Sequence, residues 1–168
     1  MTDQVSPCFS VEAKKVGGLL AFFCLTLTVF HPAFQVYSIL SNLLFVAEIK
    51  KNVALTQQVI SAIVILSNSQ NFFSIMSVAF SVYCGILLWQ IKSTAIVRTK
   101  AFLWYLVAVQ IILLAMVYLL SLPTELESRF AEEVGKSVTG QAFASSLWHY
   151  YLNKSERVRN TFHVYNTH

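Results

Sequence analysis

Four polar residues recur at every fourth position near the end of the chain: Gln141, Ser145, His149 and Asn153. On a helix, that spacing projects all four from one face with a slight drift. Such a stripe can line a path for a small polar solute. It can equally supply hydrogen bonds that hold one helix against another, each contributing on the order of 0.6 kcal/mol inside a membrane. A second constellation is His31, Pro32 and Gln35. Proline removes a backbone donor and clashes with the preceding turn, which predicts a kink near His31. A histidine beside a broken helix can relay protons, or it can bond the carbonyl that proline frees. A third is the basic motif Lys154, Ser155, Arg157 and Arg159. It suits a clamp on anionic lipid at about 1 kcal/mol per charge, or a dock for a cytoplasmic partner.

Other chemistries lack their residues. There is no serine–histidine pairing, no phosphate loop and no pair of intramembrane carboxylates, so an integral-membrane enzyme would have little to work with. No His, Cys, Asp or Glu cluster has zinc or iron spacing. His31 lies about 21 Å from the inner end of its span and His149 about one turn from the inner end of its own, so they cannot share a metal. The expectation is therefore a protein without catalytic residues, metal or cofactor. Charge is also missing from the middle of every expected span. That argues against an ion-driven pump and leaves a passive pore allowed.

The elements that must carry these residues follow from composition. Of 168 residues, 56% are apolar and only 12% charged, with a mean hydropathy of +0.61. A soluble domain has about a quarter of its residues charged. Disordered, collagen-like and water-soluble globular chains are excluded, and the lipid bilayer becomes the expected partner. The net charge of +4 comes without a basic run or a soluble module to carry one, so nucleic acid is not a partner. Cys8, Cys24 and Cys84 show no C-x-x-C spacing and define no redox compartment.

Four charge-free tracts stand out: Val16–Ala47, Asn52–Ile91, Ala101–Thr124 and Ser137–Asn153. A crossing needs about 20 apolar residues for about 30 Å of hydrocarbon. The expected fold class is all-α. It is a polytopic membrane protein of four transmembrane helices, with an extra outer amphipathic helix, in a single integral-membrane domain over residues 1–168. The spans fall at about 17–39, 72–91, 102–122 and 138–152. The first is too long for a signal-peptide core of roughly 7–15 residues and reads as a retained anchor. The polar run Ser67–Asn71 divides the second tract. It leaves Val53–Leu66 as an interfacial or re-entrant amphipathic segment, or as the site of a fifth crossing, which charge sorting disfavours. Thr124 to Glu127 reads as a capping box that opens a short acidic helix to about Val134. The fourth span is weak and needs neighbours.

Lys and Arg set the orientation. With four spans, one side holds eight: Lys14, Lys15, Lys92, Arg98, Lys100, Lys154, Arg157 and Arg159. The other holds four: Lys50, Lys51, Arg129 and Lys136. The excess places both termini in the cytoplasm. Two stripes of small residues would allow close helix approach: Gly17, Ala21, Cys24 and Thr28 on the first span, and Ser77, Ser81 and Gly85 on the second. These stripes suggest a non-enzymatic protein that acts through self-association or as an accessory subunit, with a second copy or another membrane protein as partner. The alternative is a small transporter or channel with its polar path along the fourth span.

The two ends of the chain carry a resemblance. The first span opens Gly17-Gly18-Leu19-Leu20, and the chain closes with Trp148, Tyr151, Ser155, Arg157, Val158, Thr161 and Phe162 in a W-x-x-Y-x-x-x-S-x-R-V-x-x-T-F register. This resembles a bacterial family of small four-span inner-membrane proteins known only as a domain of unknown function. Leu19 stands where that family has tryptophan, and Tyr150 where it has proline. The resemblance implies a multi-pass protein of the bacterial inner membrane, and no activity.

Overall fold

The computed structural model describes residues 16, 18–51, 56–120 and 122–162, and every regular element among them is helical. The helices are α1 (Leu19–Leu25), α2 (His31–Ile49), α3 (Gln57–Trp89), α4 (Ala95–Leu119), α5 (Thr124–Lys154) and α6 (Glu156–Phe162). Three helical stretches are long and apolar enough to cross a bilayer: Leu19–Ile49, Gln57–Trp89 and Ala95–Leu119. The all-α membrane reading rests on these three. The fourth long helix, α5, is too polar to stand with them on composition.

Gly18 begins the first rod with φ 62° and ψ −139°, a conformation open to glycine and strained for other residues. One glycine of the opening pair thus has a backbone role; Gly17 lies outside the described residues. The expected kink near His31 takes a different form. Between α1 and α2, Thr26–Phe30 forms a π-helical turn, and the rod continues to Ile49 rather than ending near Ile39. The widened turn accommodates Pro32 in the first turn of α2, where the missing amide costs least.

The separate amphipathic helix does not form. Gln57–Trp89 is one helix of 33 residues, and the run Ser67–Asn71 lies inside it. That run is polar but holds neither glycine nor proline, so nothing in it breaks a helix. Its side chains find partners or cover instead: Asn42 Nδ2 donates to Asn71 Oδ1 at 3.2 Å, and Ser67 is buried. Residues 52–55, at the start of the expected segment, lie outside the described residues. Likewise, the acidic helix and the fourth expected span are one helix of 31 residues. The capping box is absent. Pro123 occupies the cap, and the amides of Leu126 and Glu127 bond its carbonyl, each at 2.9 Å, with no side-chain cap.

α3 and α4 are joined by a tight turn. Lys92 N–H donates to Leu87 O and Ile91 N–H to Leu88 O, both at 3.1 Å, with Ile91 at φ 52°. This bond pattern usually ends on glycine. Here an isoleucine takes the left-handed position and packs against the main core, so burial offsets the backbone cost.

Backbone packing runs α2 on α3, α3 on α4, α4 on α5 and α5 on α6, with α1 also against α3. The largest core cluster lies where α1 starts and α3 ends, around Leu20, Phe23, Cys24, Leu88 and Phe102. There the Trp148 ring stacks on Phe23 with centroids 4.1 Å apart, tying α5 to α1. At the other end α2 has no buried residue.

A polar cleft in the helix bundle

The small-residue stripes meet each other within one chain. A Cβ placed on Gly85 would collide with Thr28 Cγ2, so this glycine lets the π turn press onto α3. Ser81, fully buried, donates from Oγ to Leu27 O at 2.6 Å. The bond has a backbone cause. His31 N–H reaches back to Thr26 O, and the residue one π-turn beyond Leu27 is Pro32, which has no amide. Leu27 O is therefore the carbonyl left over, and Ser81 supplies its donor. Histidine, the expected partner of the freed carbonyl, does something else.

His31 Nε2 lies 3.2 Å from Ser77 Oγ, and Ser77 Oγ donates to Ser74 O at 3.0 Å. With the serine proton spent on that carbonyl, His31 Nε2–H is the donor to Ser77. The imidazole also sets its edge against Phe102, at 5.6 Å and 88° between planes. His31 and Ser77 thus form a polar floor immediately above the packed core.

Above the floor, two adjoining chambers of 310 and 280 Å³ open between α2 and α5, with α3 and α4 behind them. α2 supplies Gln35, Ser38 and Asn42; α3 supplies Ser67, Gln70, Ser74 and Ser77; α4 supplies Gln110; and α5 supplies Glu133 and Ser137. The chambers share Gln70, Gln110, Leu113, Glu133 and Ser137, so they are compartments of one cleft. Ser77 lines its deep end, and Glu133 is its one carboxylate. Amide and hydroxyl groups in such numbers need hydrogen-bond partners at membrane depth.

Most of these residues were not singled out from the sequence. Their signal was present as periodicity. Gln35, Ser38 and Asn42 are spaced i, i+3, i+7, and Ser67, Gln70, Ser74 and Ser77 are spaced i, i+3, i+7, i+10, each set on one helix face. Of the sequence candidates, Gln35 and Ser77 line the cleft, His31 touches its floor, and Pro32 acts from behind it.

The stripe Gln141, Ser145, His149 and Asn153 lies elsewhere, against α4. Gln141 Nε2 donates to Ser145 Oγ, and Ser145 Oγ donates to Leu103 O, each at 3.2 Å. Lys100 Nζ donates to Asn153 Oδ1 at 2.6 Å, and Asn153 Nδ2 donates to His149 Nδ1 at 3.0 Å. The four side chains form two short hydrogen-bond chains that pin α5 to α4. A side groove of 340 Å³ runs past Ser145, His149 and Asn153 beside Trp104 and Val107.

The basic motif is split. Ser155 Oγ accepts from Val158 N–H at 3.4 Å and so begins α6. Arg159 lines a pocket with Lys100, Lys154 is exposed, and the Arg157 side chain lies outside the described residues. Val158, Thr161 and Phe162 are buried, and Val158 and Phe162 join the main core. The shared closing residues are thus largely packing residues.

A family model of proteins of unknown function, DUF2569, matches residues 13–163. The chain belongs to the DUF2569 family. The match spans Trp148 to Phe162, whose packing is described above, and it also spans the cleft. No curated protein and no solved structure matches the chain.

Proposed function

We propose that this DUF2569 protein is a non-enzymatic integral membrane protein that takes a small polar solute into the cleft and passes it across when the packed floor opens. One observation carries the reading: hydrogen-bonding side chains from four helices converge on a cleft that stops at a packed floor. Polar groups facing hydrocarbon would each cost several kcal/mol, so a wet cleft is the state this lining favours. The π turn and Pro32 at its floor resemble the broken helices that transporters place at mid-membrane. The small-residue stripes, which first suggested self-association, are spent within one chain at Gly85 and Ser81.

In this reading α5 is the fourth crossing. Its charge-free stretch, residues 137–153, extends about 25 Å, and Glu133 stands one turn beyond, at the edge of about 30 Å of hydrocarbon. Lys92, Arg98, Lys100, Lys154 and Arg159 cluster at the core end, and the positive-inside rule makes that end cytoplasmic, in the bacterial inner membrane. Both termini are then cytoplasmic, and the cleft faces outward.

Two measurements test this in proteoliposomes. In a Cys8→Ser background, Gln110→Cys should react with a membrane-impermeant cationic thiosulfonate well above the Cys8→Ser chain alone, whose remaining Cys24 and Cys84 are buried. Glycerol and urea should enter faster than into empty liposomes, and Gln110→Leu with Ser77→Val should remove the excess. No labelling above background, or solute entry equal to that of empty liposomes, would end the proposal.

A further inference from the structure

A second concave site lies at the opposite, basic end, between the start of α4, the end of α5 and α6. This pocket of 240 Å³ has a polar side formed by Ser93, Lys100, Asn153 and Arg159, and an apolar side that includes Leu152 and Phe162. Among the described residues no carboxylate lines it. The ion pair found among the described residues is elsewhere, between Lys136 and Glu132 at the far end of α5. Lys100 spends one donor on Asn153 Oδ1, and an ammonium has three. Two cations with no neutralising carboxylate among the described residues, a hydroxyl and an amide thus converge on one space.

We propose that this pocket binds a phosphate group, and that its bearer is an anionic phospholipid of the same leaflet. The charge pattern selects the phosphate, because Arg and Lys together match its oxygens and charge. The apolar side selects a lipid over a free ion, since inorganic phosphate has nothing to place against Leu152 and Phe162. The pocket differs from a diffuse basic surface in one checkable way. Lys92 and Arg98 carry the same charge at the same end, yet neither lines it.

The test is native mass spectrometry of the full chain in a neutral detergent, titrated with dioleoyl phosphatidylglycerol or dioleoyl phosphatidylcholine. A micelle of that kind has no charged surface of its own, so only site contacts register. Lys100→Gln with Arg159→Gln should weaken phosphatidylglycerol binding about 30-fold, about fivefold per charge. Lys92→Gln with Arg98→Gln should change it less than about threefold. Arg159→Gln alone keeps the Lys100–Asn153 contact and should still lose about fivefold, which guards against a folding defect in the pair. Failure of inorganic phosphate at millimolar concentration to compete supports the lipid, while full displacement by it would overturn that assignment. Equal losses in both charge pairs, or no loss in either, would overturn the site. None of these outcomes depends on solute passing through the cleft.

Discussion

Replacing Ser81 with alanine should expose how the π turn is held. The substitution removes one oxygen and leaves Leu27 O with no donor in a dry, fully buried place. Interhelical hydrogen bonds in membranes contribute about 0.6 kcal/mol on average and up to about 1.7. A buried carbonyl left unpaired costs about 1–3 kcal/mol. The loss should therefore be about 1.5 kcal/mol, roughly tenfold in the unfolding equilibrium. Pro32→Ala supplies the control, because it restores an amide at position 32. Leu27 O then regains a backbone partner in either register: from His31 if the turn relaxes to α, from residue 32 if it stays π. In that background Ser81→Ala should cost less than about 0.5 kcal/mol, a coupling of about 1 kcal/mol between residues far apart in sequence. Unfolding by SDS in mixed micelles, followed by tryptophan fluorescence, measures all four corners; Trp148 stacked on Phe23 reports the neighbouring core. An equal cost of Ser81→Ala in both backgrounds would refute the link between serine and proline.

Two other perturbations follow from the packing. Gly85→Ala should destabilise the chain by about 1–3 kcal/mol in the same titration, because its Cβ meets the stiff β-branched Thr28. Thr28→Ser removes the offending methyl, keeps a hydroxyl for Cys24 O, and should restore most of the loss; the contacts that remain, at 3.5 Å, are ordinary. Phe162→Ala should cost about 3 kcal/mol and free α6 to protease, read as new cleavage between residues 155 and 162; an intact α6 would contradict its place in the core.

The three most apolar crossings were legible in the sequence because hydrocarbon thickness sets a minimum run of about 20 apolar residues, whatever their neighbours do; their ends were not, since the helices run on past that minimum. The joints were less so. Ser67–Asn71 reads as an interruption in a linear scan, but in a bundle a polar run without a helix breaker can face an inner wall, and α3 runs through it unbroken. Thr124 and Glu127 match a capping pattern, yet Pro123 takes the cap position. Pro32 was visible as a disturbance; which carbonyl it frees depends on a register shift that leaves no mark in residue types. The cleft was written as two polar periodicities, on α2 and α3, and only the way α2 to α5 pack shows that they face each other and meet Gln110, Glu133 and Ser137. The Gln141 to Asn153 stripe was legible as a face, but that α4 covers it is a tertiary fact. Trp148 and Phe162 stood out as motif letters, and their role emerged only once Phe23 and the end of α3 lay beside them.

The 33 residues of α3 extend about 50 Å, and the 25 of α4 about 37 Å. Both exceed a hydrocarbon slab of about 30 Å. Tilt absorbs part of the surplus, and the rest must stand proud of the lipid. In the proposed orientation, with the cationic end moored at one headgroup layer, the overhang gathers at the opposite end, where Glu133 lines the cleft and Glu132 pairs with Lys136 on the same helix. Acyl-chain length then acts as a dial: in thin membranes the mouth rises clear, and in thick ones those charges are drawn toward the oily layer. If α5 crosses as proposed, helices of this length make the protein responsive to the girth of its host membrane as well as to that membrane's chemistry.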